Sequence, residues 1–217
     1  MFNYSTGKNK YDNLPVQCSA ATSKEFETDV LGSVSAEKGM TYVYAAVSAA
    51  LHNDQGKYPD KIDHWRQQHL AKPRKFLAYD FDGFESPAVW QELQQKFPWR
   101  SFLYTTASHT SQAPRSRVFI ELSREVDHTE GAELGEGAQA FLGSQITTGW
   151  IDFGDWVYRS TQPVYTPVKG FEFHLVKADV LDVDYILGWF RGTKAIQEFY
   201  QLQTDQRPLS ALGALLV

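Results

Sequence analysis

Cysteine is almost missing from this sequence. Cys18 is the single one, which excludes an intrachain disulfide and any cysteine-based zinc site, and no partner motif for cysteine catalysis accompanies it, so it reads as structural. Long apolar runs are missing too: no segment approaches the roughly 18 consecutive apolar residues that span a bilayer. The N-terminal MFNYSTGKNK has no apolar stretch of the kind a signal peptide carries, and the expectation is a cytoplasmic protein with no membrane partner. A positive charge balance is also lacking. The formal net charge of −5 excludes bulk electrostatic binding of nucleic acid and leaves such binding to local patches. What the chain does have is core material. With 42% hydrophobic and 14% aromatic residues in 217, it can bury one sizeable core, and a single domain is expected.

The most informative stretch is Lys75 to Asp82, KFLAYDFD, followed by Gly83 and Phe84. Phe76, Leu77, Ala78 and Tyr79 read as a buried strand running into two carboxylates one residue apart. Residues i and i+2 of a strand share a face, so Asp80 and Asp82 project together while Phe81 turns into the core. Two adjacent anions are costly unless a cation joins them. Mg²⁺ or Mn²⁺, which prefer hard oxygen ligands, are the expected partners, and Gly83 lets the chain turn just beyond. The competing reading is a strand end entering a turn.

In chain order, residues 1–24 are polar and turn-rich and read as loop, and Lys24 to Leu31 as a short helix. Thr41 to Val47 starts as a strand, His52 to Gly56 and Tyr58-Pro59 read as turns, and Asp63 to Leu70 as a helical turn or two. His64 and His69 are five apart, which puts them on different helical faces and argues against a metal site there. From Lys75 the order is informative. The strand at 75–82 is followed by a helix over 86–97 with Ser86 as N-cap and Pro87 at its first position. A hairpin follows, with strands at 101–106 and 117–122, then a helix at 132–142 and a last strand near 163–167. This β-α-β-β-α-β order predicts an α+β fold. Its core is an RRM-like (RNA-recognition-like) antiparallel sheet at 75–168, with two helices on one face and the other face open. Residues 1–74 form an N-terminal α/β extension, and 169–217 a strand and helical segment. There Asp182 and Asp184 repeat the Asp-x-Asp spacing, but their amphipathic surroundings read as a helix start.

In that arrangement the first and third strands are central neighbours, so Asp80 and Asp82 lie beside the start of the third strand. Its approach, TTASHTSQAPRSRVFIEL, supplies Ser108, His109, Arg115 and Arg117. Arginine is the fork-shaped donor for phosphate oxygens, and histidine can donate to the same group. A metal pair facing a polyphosphate site is what nucleotidyl transfer needs. Two metals would call for a third carboxylate, and GWIDFGDW offers Asp152, which could close a strand, or Asp155, with a turn role open for either.

With these motifs in this order, the sequence resembles archaeo-eukaryotic primases (the AEP superfamily), especially the primase-polymerase domains of plasmid and phage replication proteins. The resemblance is carried by Asp80-Phe81-Asp82-Gly83, by Ser108-His109 in TTASHT with PRSRVFIELSREV behind it, and by Asp152 upstream of STQPVYTP. It is good over 75–168 and loose over the first 70 residues. It implies a DNA primase that makes primers on a single-stranded DNA template from NTPs or dNTPs, and binding of two Mg²⁺ or Mn²⁺ ions by Asp80, Asp82 and Asp152. It also implies nucleotide phosphate binding by Ser108 and His109, with Arg115 and Arg117 in nucleotide or template contact, and a replicative helicase or other replicon protein as a further partner. Two features depart from many relatives: there is no zinc-binding cysteine set, and no recognisable helicase follows. The chain reads as a stand-alone primase, a small replication protein or a piece of a longer one. Two other classes share some of the motifs. A haloacid-dehalogenase-like phosphatase also starts with a strand-end Asp-x-Asp-Gly, but it needs a parallel sheet, for which the loop between the hairpin strands is too short. A non-catalytic nucleic-acid-binding initiator module would want exposed aromatics on the central strands.

Overall fold

The computed structural model describes residues 1–9, 12, 15–44, 71–154 and 158–205. It is a mixed α+β structure with two antiparallel sheets and four helices. The strand that organises it is β4 (Arg74–Phe84). Leu77, Tyr79 and Phe81 enter the core under α2 (Pro87–Lys96) and α3 (His128–Gln145), while Phe76 and Ala78 enter a second core on the opposite face. This is the two-residue alternation of a strand, and it hands Asp80 to the row of Phe76 and Ala78. Antiparallel neighbours flank β4 on both sides: β6 (Ser116–Val126) and the short edge strand β7 (Ile151–Phe153). β5 (Ser101–Thr105) pairs with β6, and β9 (Phe173–Val176) with β5, giving the order β7-β4-β6-β5-β9.

Local sequence explains the helices that back this sheet. Ser86 stands at the N-cap of α2 in extended conformation without a side-chain cap bond, and Pro87 follows where its missing N–H would be unpaired anyway. α3 is capped by Asp127, which accepts from the backbone N–H of Thr129 and Glu130 at 2.8 Å. α4 (Val183–Asp205) begins with Asp182 accepting from Tyr185 N at 3.0 Å, and buries Val183, Ile186 and Leu187 against the same core. Among the described residues no helix is long and apolar enough to cross a membrane.

The second sheet has the order β2-β1-β3-β8, from β1 (Phe2–Gly7), β2 (Val16–Ala20), β3 (Tyr42–Tyr44) and β8 (Val164–Tyr165). With α1 (Ser23–Gly32), which opens on a Thr22/Glu25 capping box, it covers the face expected to be open. Phe26 of α1 is the hub. Its ring lies 4.7 Å from Phe76 and 5.5 Å from Phe119, and Phe2, Tyr4 and Phe102 complete the cluster. Each such buried ring contributes about 1.5–3 kcal/mol of hydrophobic stabilisation.

Other expectations change as well. Residues 1–24, expected as loop, carry β1 and β2. Their polarity hid them, since Ser5 is fully buried inside β1 and Val16 is exposed. The strand near 163–167 exists as β8 but belongs to the second sheet, and the place beside β4 is taken by β7, too short to leave a periodic signal. The strand after Pro167 becomes the fifth of the main sheet. The turns and helix expected between 52 and 70, Asp155 and the C-terminal LSALGALLV lie outside the described residues.

β4 also opens on an unusual residue. Arg74 is 2% exposed, donates through Nη2 to the Tyr158 carbonyl, leaves Nε unpaired and has no carboxylate partner among the described residues. Burial pulls its guanidinium down to about 10. Arg74→Met keeps the stem beside the Phe76 ring and removes a desolvated charge. We expect stability to rise by about 1 kcal/mol or more, read as a higher urea midpoint. A lower midpoint would mean that the bond to Tyr158 outweighs the desolvation.

Candidate active site at the end of strand β4

The register of β4 on β6 sets Asp80 directly opposite Arg117. Arg117 Nε and Nη2 both donate to Asp80 Oδ2, at 3.1 and 2.7 Å, and Nη1 donates to the Tyr165 carbonyl at 3.2 Å. The guanidinium also lies 5.2 Å from the centre of the Tyr165 ring. Tyr104 Oη donates to the same carbonyl at 2.6 Å, so one backbone oxygen of β8 ties the second sheet to β5 and β6. The Arg117 and Asp80 side chains are 5% and 14% exposed. Asp80 Oδ1 is buried with no hydrogen-bond partner. Burial pushes the Asp80 carboxyl above the usual carboxylate range, against the pull of Arg117. A buried carboxylate oxygen with no donor is the kind of acceptor a hard cation satisfies.

Asp82 is half-exposed, with Arg115 Nη1 3.9 Å from its Oδ1. A register shift between Phe81 and Gly83 places Gly83 opposite Asp152 on β7. Ile151 and Phe153 pack into the helix-side core, so Asp152 leaves the backbone on the face of Asp80, and it is exposed. Among the described residues no three His, Cys, Asp or Glu side chains gather into a metal-holding group. The structure therefore brings Asp80 and Asp82 together and leaves Asp152 on the adjoining strand outside that pair.

One residue of the site went unnoticed in the sequence. Gly154 N donates to the Asp80 carbonyl at 2.8 Å, and a Cβ at this position would sit 2.4 Å from Asp82 Oδ2. Glycine here keeps room for the carboxylate, whereas in sequence it looks like one more turn glycine before an aspartate.

The hairpin loop is closed by its own backbone: Thr106 N donates to Arg115 O at 3.1 Å and His109 N to Thr106 O at 3.0 Å. His109 Nδ1 lies 3.1 Å from Arg115 N. Nδ1 lies equally close, at 3.1 Å, to the Arg115 carbonyl, but the Arg115 N–H can only donate, so we assign Nδ1 as its acceptor, which places a ring hydrogen on Nε2. The imidazole stands edge-on to Trp90 of α2 at 6.5 Å, leaving Nε2 without a protein partner among the described residues. Ser108 is exposed beside it. Of the four residues expected to bind nucleotide or template, Ser108, His109 and Arg115 lie on the loop beside Asp82, and Arg117 is committed to Asp80.

Glu92 of α2 holds the approach to β7. It accepts from Thr147 Oγ1 at 2.9 Å, Thr148 N at 3.0 Å, Thr148 Oγ1 at 2.6 Å and Lys96 Nζ at 2.7 Å. Lys96 first, then Thr148, hold its carboxyl well below the usual carboxylate range. A depressed folded pKa contributes stability above the unfolded value and loses it as pH falls. Wild type should therefore exceed Glu92→Gln in urea midpoint at pH 7, with the gap shrinking below about pH 4. Equal midpoints at pH 7 would show that the staple contributes nothing.

No family model and no curated protein matches the chain. Among solved structures it is similar to the AEP domain (PP-N190) of the cyanophage S-2L primase-polymerase, with a TM-score of 0.46 and 11% sequence identity over 86% of each chain. An overlap of that size does not speak to activity, which rests on the chain's own residues.

Proposed function

We propose that this chain is a metal-dependent nucleotidyltransferase that makes primers on single-stranded DNA, a DNA primase or primase-polymerase. The observation that carries this reading is the pair Asp80 and Asp82 at the end of β4, with one orphaned buried oxygen, beside the His109–Arg115 loop. A Mg²⁺ or Mn²⁺ bound there would neutralise charge developing on the reacting phosphate. Arg117 occupies Oδ2 of Asp80 and so reserves Oδ1 for the cation. The His109 Nε2–H and the Ser108 hydroxyl donate to the phosphates of an incoming NTP or dNTP, and Arg115 adds charge to the same group. Asp152, on the same face, is the candidate third ligand once a cation offsets the repulsion.

The other two classes fit less well. A dehalogenase-type phosphatase needs a parallel sheet with helical crossovers, and the described strands of this sheet pair antiparallel with one another. A sheet that binds nucleic acid by its central aromatics needs them exposed, and Phe76, Phe102 and Phe119 are buried under α1. The direct test is primer synthesis on single-stranded DNA with labelled nucleotides, with and without divalent ions. Labelled products that depend on Mg²⁺ or Mn²⁺ are the expected result. Their absence in the folded protein under both ions would remove the proposal.

A further inference from the structure

Trp150 stands just before β7, 57% exposed, and no ring packs on it among the described residues. A lone exposed aromatic needs no explanation by itself, but this one is rigidly mounted. Its N–H donates to Glu85 Oε2 at 3.1 Å, and its carbonyl accepts from Glu85 N at 3.1 Å. Gly149 before it passes so close to α2 that a Cβ there would lie 2.8 Å from Val89 Cγ2. The backbone is therefore clamped on both sides while the indole is left in water. Ile151 and Phe153 point into the helix-side core, so alternation turns Trp150 to the face shared by Asp152, Asp80 and Asp82. β7 is the edge of its sheet, and an extended strand can reach this face from the side.

Charge decides what the indole meets. Glu85 and Asp152 flank it and repel phosphate, which leaves the face of an uncharged base as the fitting contact. Besides Arg117, which is committed to Asp80, the described cations near the carboxylates include Arg115, beside Asp82, and Lys38, close enough to Asp80 to act on its carboxyl, and these two suit the backbone of the same strand. We propose that Trp150 is a stacking platform for an unpaired base of single-stranded DNA, which sets where the strand lies relative to Asp80 and Asp82. This inference rests on the nucleotidyltransferase reading. It also answers what the buried Phe76, Phe102 and Phe119 cannot do, since Trp150 at the sheet edge is open to a base on the carboxylate face.

The test is binding of a fluorescein-labelled oligothymidylate, followed by anisotropy. Trp150→Ala should bind about 5- to 150-fold more weakly, the range for losing one base–aromatic stack, and Trp150→Phe should keep most of the affinity. Its exposure predicts an unchanged melting temperature for both. On a strand carrying abasic positions wild type should lose the same factor, and Trp150→Ala should no longer distinguish the two strands. If wild type binds the strand and Trp150→Ala binds it equally well, the platform is wrong and the nucleotidyltransferase reading stands. If wild type binds no strand, both fall. A wild type that sediments as a dimer while Trp150→Ala is a monomer would overturn the platform in favour of an edge contact between copies.

Discussion

Asp82→Ala is expected to abolish primer synthesis with the fold and melting temperature nearly unchanged. The Asp82 side chain is half-exposed and its contact with Arg115 is a loose 3.9 Å, so its removal breaks little packing, and a surface pair of this kind contributes about 1 kcal/mol at most. What is lost is one of the two carboxylates proposed to hold the cation. A melting experiment separates this from unfolding without any assay of activity. If the site binds it as proposed, Mn²⁺ at about 100 times its dissociation constant should stabilise the wild type by about 2.7 kcal/mol through mass action, and it should shift Asp82→Ala much less. Asp82→Asn, close in shape, should melt higher than wild type without metal because one repulsion is gone. An Asp82→Ala protein that still extends primers at the wild-type rate would sink the site.

Asp80 lies two residues away and behaves differently. Removing it also leaves Arg117 buried, keeping only its bond to the Tyr165 carbonyl and its place over that ring. Breaking a buried pair from one side typically costs about 3–5 kcal/mol. Loss of activity in Asp80→Ala therefore mixes unfolding with lost metal binding. The double variant Asp80→Ala/Arg117→Met removes both charges and should recover much of the stability but none of the synthesis. The contrast assigns Arg117 to holding Asp80 rather than to the nucleotide, a distinction invisible in the sequence, where Arg115 and Arg117 are equivalent arginines two apart.

That pair of arginines shows where sequence reasoning stops. Strand β4 was legible because apolar side chains run directly into two carboxylates, and α2 because Ser86-Pro87 starts a helix with Val89 and Leu93 on one face. The neighbour relation of β4 and β6 followed from element order, and with it the meeting of Asp80 with the hairpin. The second sheet was not legible. β1 lies between β2 and β3 and buries Ser5, while β2 is an edge strand that leaves Val16 in solvent, so tertiary placement overrides local alternation. β7 is three residues long and is held by Glu85 and Glu92 from elsewhere in the chain. Gly154 was hidden for a related reason: the value of a missing Cβ depends on Asp82, distant in sequence.

His109→Ala should weaken nucleotide use by about 10- to 1,000-fold, the loss expected when a charge-assisted contact that strengthens in the transition state is removed. The effect should fall on nucleotide use and leave metal binding alone, because His109 touches the loop and neither carboxylate. Its Nδ1 is held by Arg115 N at 3.1 Å and its ring by Trp90, so the free Nε2–H points from a fixed ring. His109→Asn is the informative control. Its amide can still donate, and it should retain more activity than alanine if the role is a hydrogen bond to phosphate. The Mn²⁺ shift in melting temperature should be the same in wild type, His109→Ala and His109→Asn. If His109→Ala uses nucleotides at the wild-type rate and affinity, the hairpin is only a closed polar loop. If it loses the Mn²⁺ shift along with activity, the imidazole acts through the carboxylates and its assignment to the triphosphate is wrong.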